Sequence, residues 1–194
     1  LPIGGAVRTV GSLIPLVIGI QSAFLLSPDD EPGIEVLLAC PRPIRWVLLE
    51  RFAVVFLSQA ALALIGMGMS MAITGEREVL IEAARWFPAG LMFCGLATYI
   101  TLASRQPAFS VAMVGILWFT FNIMGAALLP GQPTLWPLNL VQPFVWGIHP
   151  YLQPGDLPMA DWWLNRALVT SVGIILIMLT VRQLQDEERV LLGG

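Results

Sequence analysis

Apolar residues in this chain come in long runs separated by short polar breaks. Five runs approach or exceed the roughly 20 residues that carry a helix across a bilayer. They are Val10 to Leu26, Ile44 to Thr74, Ala84 to Ala103, Ala108 to Leu129, and Trp163 to Val181. Helices close their own backbone hydrogen bonds and so can cross lipid unaided. The alternating short segments of a membrane β-barrel are absent. The pattern predicts an all-α, polytopic membrane helical bundle, a single transmembrane domain over residues 1–194 with five visible spans.

The second run would be about 45 Å long at 1.5 Å per residue, against a hydrocarbon core of about 30 Å. Its first turns hold Arg45, Glu50 and Arg51. It is therefore expected to project beyond the bilayer where it starts, since tilting would bury those charges.

Two polar breaks have their own patterns. Segment 29–43 reads DDEPGIEVLLACPRP. Pro28 ends the first run. Asp29, Asp30 and Glu31 suit a helix N-terminus, where the dipole favours acids. Ile34, Leu37 and Leu38 recur at i, i+3 and i+4 and make one apolar face. Pro41 and Pro43 stop the helix. The expected element is a short amphipathic helix. Its apolar face can lie on the membrane, pack on its own bundle or dock into a partner's groove, and the pattern leaves all three open. Segment 130–162 is rich in Pro and Trp, and its apolar piece Leu138 to Ile148 is too short to span. It predicts short helices at the outer interface, with Trp at headgroup depth.

Composition agrees with the runs. The chain is 57% hydrophobic and 12% charged, where soluble domains carry about 25% charge, and its mean hydropathy is +0.79. A net charge of -3 lacks the basic footprint of a nucleic-acid binder. All ten basic residues are Arg. With connections alternating sides, Arg42, Arg45, Arg51, Arg105, Arg182 and Arg189 fall on one side, and Arg8, Arg77, Arg85 and Arg166 on the other. The positive-inside rule makes the first side cytoplasmic. This puts the C-terminus inside a cell (inner) membrane and Leu1 outside. The sequence shows no signal-peptide pattern of n-region, h-region and small-residue cleavage site, and it does not start with Met. A missing N-terminal span is expected, which would make six.

Site chemistry is sparse. Cys40 and Cys94 lie in different segments and predict neither a disulfide nor a metal motif. His149 is the single histidine and reads as a loop surface residue. Three adjacent acids, Asp29 to Glu31, rarely converge on one ion. Glu82 and Arg85 read as an interfacial ion pair. No catalytic, cofactor or metal site is expected. Intramembrane charges mark ion and proton pathways, and their scarcity argues against a proton-coupled transporter or a channel. Among polar residues deep in the runs, Ser58, Gln59, Thr120 and Asn122 are expected to make interhelical hydrogen bonds ahead of substrate contacts. The run GMGMS, Gly66 to Ser70, predicts close helix packing.

The stretch EPGIEVLLACPRPIRWVLLER, Glu31 to Arg51, resembles the cytoplasmic signature of the type-2 ABC exporter permease family. Glu31, Gly33, Glu35, Leu37, Leu38 and Pro41 match the family's pattern. Ile34 stands where the family commonly has a hydroxyl residue. The end is similar too: His149-Pro150, a final span, then the charged tail RQLQDEERVL. The resemblance covers roughly Val10 to Leu192 and implies six spans. It implies that segment 29–43 is a coupling helix on a cytoplasmic ATPase subunit, with Ile34, Leu37 and Leu38 in the ATPase groove. Glu31 and Glu35 would then meet basic residues, and Arg42 and Arg45 acidic ones. It also implies a second permease subunit, as homo- or heterodimer. No phosphate-binding loop G-x-x-x-x-G-K-[ST] is present, and there is no Lys, so ATP and Mg would sit on the partner ATPase. The expected function is outward or interleaflet movement of a hydrophobic or amphiphilic substrate. The alternative is a non-catalytic accessory subunit of a larger membrane complex. An intramembrane enzyme lacks a nucleophile, base or metal set.

Overall fold

The computed structural model describes residues 3–25, 44–74, 79–127, 143–144 and 159–191. Among these the chain is all-helical: α1 (Ile3–Phe24), α2 (Ile44–Thr74), α3 (Val79–Ser104), α4 (Pro107–Ala127) and α5 (Met159–Leu191). Among the described residues each of the five apolar runs coincides with one helix. Three stretches are long and apolar enough to cross a membrane: Trp46–Gly66 in α2, Trp86–Ser104 in α3 and Trp162–Gln185 in α5. Ser12–Phe24 in α1 and Pro107–Ile123 in α4 are shorter apolar stretches.

The third helix is the centre. It packs along α1 and α5 and against α4, while α2 leans on α1 from the outside. In α3, 56% of the apolar stretch is buried, against 28% in α2 and in α5. Small residues explain this, because membrane helices approach closely only where side chains are small. Ala89, Gly90, Gly95, Ala97 and Thr98 of α3 are all buried. A Cβ on Gly90 would lie 2.7 Å from Ile18 Cδ1, and one on Gly19 would lie 2.8 Å from Val114 Cγ1. In the GMGMS run, Gly68 is not at a close crossing. A Cβ on Gly68 would meet nothing within 4 Å, because α2 is peripheral and Gly68 is exposed.

Cross-helix contacts fix the directions. Thr101 Oγ1 donates to Ala23 O at 3.2 Å, and Gly90 meets Ile18, so α1 and α3 run parallel. Leu91 and Met92 lie against Gly173, and Gly95 lies against Leu176 and Ile177, so α5 runs parallel to them. Ser110 Oγ donates to Ala97 O at 2.7 Å, and Trp118 Nε1 donates to Ser12 O at 2.7 Å. These two bonds make α4 antiparallel to α1 and α3. Arg51 meets Leu25 and Gln59 meets Gln21, so α2 is antiparallel to α1. Successive helices therefore alternate in direction, and the ends of α1, α3 and α5 share one end of the bundle with the starts of α2 and α4.

The turn between α3 and α4 is short. Arg105 takes the left-handed conformation, φ 55°, as a residue just past a helix end often does. Its N–H donates to Thr101 O at 2.8 Å. Ser104 Oγ accepts from Gln106 N at 3.2 Å and donates to Ile100 O at 2.7 Å. Pro107 then opens α4, where its missing N–H costs nothing.

Candidate functional site

Described residues on both sides of segment 26–43 meet at one end of the bundle. Arg51, in the second turn of α2, donates through Nη1 to Leu25 O at 2.7 Å. Leu25 follows α1, and its own N–H donates to Ser22 O at 3.2 Å. A guanidinium at a helix C-terminus complements the negative end of the dipole and satisfies a carbonyl the helix leaves open. Since α2 is antiparallel to α1, its residues before Arg51 carry it about 10 Å past the end of α1 at 1.5 Å per residue.

The same end is consolidated below this cap. Leu48, Phe52, Val55 and Leu184 are buried in one apolar cluster with Ile14, Ile18, Trp86 and Cys94. Leu25, Leu102 and Val181 pack against it. The Thr101 hydroxyl holds the Ala23 carbonyl two residues before the cap. The end of α1 is thus fastened to α2 by Arg51 and to α3 by Thr101.

Of the residues singled out in the sequence, Glu31, Gly33, Ile34, Glu35, Leu37, Leu38, Pro41 and Arg42 lie outside the described residues, as do Cys40 and His149. Arg45 lies in the first turn of α2. The four deep polar residues differ. Gln59 is buried and bonds across helices, its Nε2 donating to Gln21 Oε1 at 3.0 Å. Thr120 Oγ1 donates to Ile116 O at 2.8 Å, and Asn122 Nδ2 donates to Trp118 O at 2.8 Å. Both bonds return to the residue's own helix, a local arrangement common for such side chains. Ser58 does the same with Val55 O at 2.8 Å.

The opposite end holds one of the arginines that the charge count assigns to the non-cytoplasmic side. Arg166 belongs to α5 and is only 4% exposed. Its Nη1 donates to Pro143 O at 3.0 Å, and its Cζ lies 5.3 Å from the Trp162 ring centroid. Phe144, next to Pro143, stacks on Phe93 of α3 with centroids 5.8 Å apart. Asn165 is fully buried beside Arg166. The i, i+4 spacing of Trp162 and Arg166 was the signal in the sequence, since these positions share a helix face.

Cys94 is a free, buried thiol. Among the described residues no three His, Cys, Asp or Glu side chains gather in a way that could hold a metal ion. No family model matches the chain, and neither does a curated protein or a solved structure.

Proposed function

We propose that this chain is the membrane-spanning permease subunit of an ATP-driven exporter, coupling ATP hydrolysis on a partner ATPase to movement of a hydrophobic or amphiphilic substrate. In this reading all five helices cross the cell membrane, and the chain after α5 is cytoplasmic. Segment 29–43 is the coupling helix. ATP and Mg belong to the partner, and two permease subunits form the transport unit.

The observation that carries the reading is the bond from Arg51 to Leu25 O. A coupling helix transmits work only if its flanks are attached to the spans it must move. Here one flank is capped by the other, and Thr101 extends the attachment to the central helix. Ile34, Leu37 and Leu38 supply an apolar face between those flanks, and Glu31 and Glu35 add charges that would set register on a partner more than affinity.

The test is purification of the full chain in mild detergent, with mass spectrometry of co-purifying proteins. The reading expects a stoichiometric soluble ATPase that is lost in Leu37→Asp or Leu38→Asp, while the bundle stays folded. Retention of other membrane subunits with no ATPase would replace it with the accessory-subunit reading.

A further inference from the structure

The helices α1 and α3 each carry a proline in their interior, Pro15 and Pro88, and both prolines are buried. They lie at one level. Gly19 meets Phe93, and Ile18 meets Gly90. In these parallel helices, moving back along both chains from either pair sets Pro15 between Phe87 and Ala89, beside Pro88. A proline has no N–H for the carbonyl four residues before it, and its ring pushes that carbonyl aside. The carbonyls of Gly11 and Ala84 thereby lose their helical donors, and both helices bend most easily at the same level. The pairing of Gln59 with Gln21 brings Gly66 and Gly68 of α2 to within a turn of it. Packing does not require a glycine at position 68, where a Cβ would meet nothing within 4 Å, and glycine softens a helix. Two indoles flank the break in α1. Trp118 of α4 donates through Nε1 to Ser12 O at 2.7 Å. Trp86 of α3 is 7% exposed and shares an apolar cluster with Ile14. Among the described residues nothing accepts from its Nε1. A helical side chain leans toward the start of its helix, which carries this indole toward the turn of α1 that holds Gly11.

We infer that Pro15 and Pro88 form a hinge, about which the parts of α1, α2 and α3 beyond this level, on the side away from the Arg51 cap, swing from α4, with the Trp118–Ser12 bond as the latch. The end of α2 and the start of α3 move as one because a short connection joins Thr74 to Val79. In the swung state Trp118 releases Ser12 O, and Trp86 Nε1 takes the Gly11 carbonyl that Pro15 has freed. One indole bond is exchanged for another, which keeps the two states close in free energy. A buried donor without an acceptor is costly, and the exchange accounts for the one on Trp86. The hinge belongs to the bundle itself and stands whether or not an ATPase drives it.

The test measures distances between nitroxide labels on the full chain in lipid vesicles, in a background carrying Cys40→Ser and Cys94→Ala. One pair, Val7→Cys and Ile123→Cys, reports on α1 and α4 beyond the hinge. The other, Phe24→Cys and Phe109→Cys, reports on the same helices at the capped end. A bend of about 20° acting over about 12 Å from Pro15 to Val7 displaces the first label by about 4 Å. The first pair should therefore show two distances about 4 Å apart, and the second pair one. Pro15→Ala with Pro88→Ala should leave the shorter distance alone. Trp118→Phe should raise the ratio of longer to shorter by about twofold to tenfold, the range of a net hydrogen bond, and Trp86→Phe should lower it by a similar factor. These opposite signs separate a latch and its exchange partner from two rings that merely pack. A single distance at the first pair in every variant, equal spread at both pairs, or shifts of the same sign from the two tryptophan variants would overturn the inference and leave the exporter reading untouched.

Discussion

Gly95 of α3 and Gly173 of α5 face each other so closely that a Cβ on Gly95 would lie 2.7 Å from the Gly173 carbonyl oxygen. A Cβ on Gly173 would in turn lie 2.8 Å from the backbone of Leu91 and Met92. The atoms in the way are backbone, so no rotamer change can make room. This contact joins the central helix to α5.

It follows that Gly95→Ala and Gly173→Ala should each destabilise the bundle by about 1–3 kcal/mol, the usual cost of overpacking, and Gly173→Leu by more. Gly68→Ala is the control, since nothing lies within 4 Å of its Cβ. It should be neutral or stabilise by about 0.5–1 kcal/mol through helix propensity. Reversible unfolding in mixed detergent micelles measures both. Equal effects at Gly95 and Gly68 would contradict the close crossing.

Arg51 and Leu25 give a second prediction. Arg51→Leu removes a charged donor from the end of α1 and should cost about 1–2 kcal/mol at this half-buried site. Arg51→Lys should recover part of that. If the exporter reading holds, Arg51→Leu should also lower the transport obtained per ATP hydrolysed. Full coupling in a folded Arg51→Leu protein would remove the capped flank from the mechanism.

The turn after α3 supplies a third. Arg105 has φ 55°, a conformation that costs a β-branched residue most. Arg105→Gly is expected to be tolerated or slightly stabilising, and Arg105→Val to destabilise by about 1–2 kcal/mol. The order of their unfolding midpoints checks the turn. Arg105→Val matching Arg105→Gly would mean the turn is not left-handed there.

The helices were legible because an apolar run bounded by charges or prolines has few other ways to satisfy its backbone. The break at Arg105-Gln106-Pro107 between two greasy runs could be read directly. What could not be read was which faces meet. The GMGMS run advertised close packing, yet the tight crossings are at Gly19, Gly90, Gly95 and Gly173. A glycine's role depends on whether its helix is central, and no local pattern encodes that. Gln59 stood out as a polar residue in a long run, while its partner Gln21 did not, because their bond spans 38 positions. The burial of Arg166 could not be read, because charge bias along the chain says nothing of which arginine turns inward.

Arg166 and Trp162 carry the last prediction. The guanidinium sits 5.3 Å from the ring centroid while donating to Pro143 O, and both residues are buried. A cation over an indole out of reach of water is worth about 2 kcal/mol, and a buried carbonyl that loses its donor costs about 1–3 kcal/mol. Arg166→Met should therefore destabilise through loss of the ring contact and the Pro143 bond, and Trp162→Leu through loss of the ring contact and of buried indole surface. Arg166→Lys should rescue little, because ammonium lacks the planar fork that stacks on the ring and reaches the carbonyl together. The double variant should fall short of the sum of the singles by about 1–2 kcal/mol, the coupling expected of side chains in contact. Strict additivity in a double-mutant cycle would show that the ring packs against Arg166 without holding its charge.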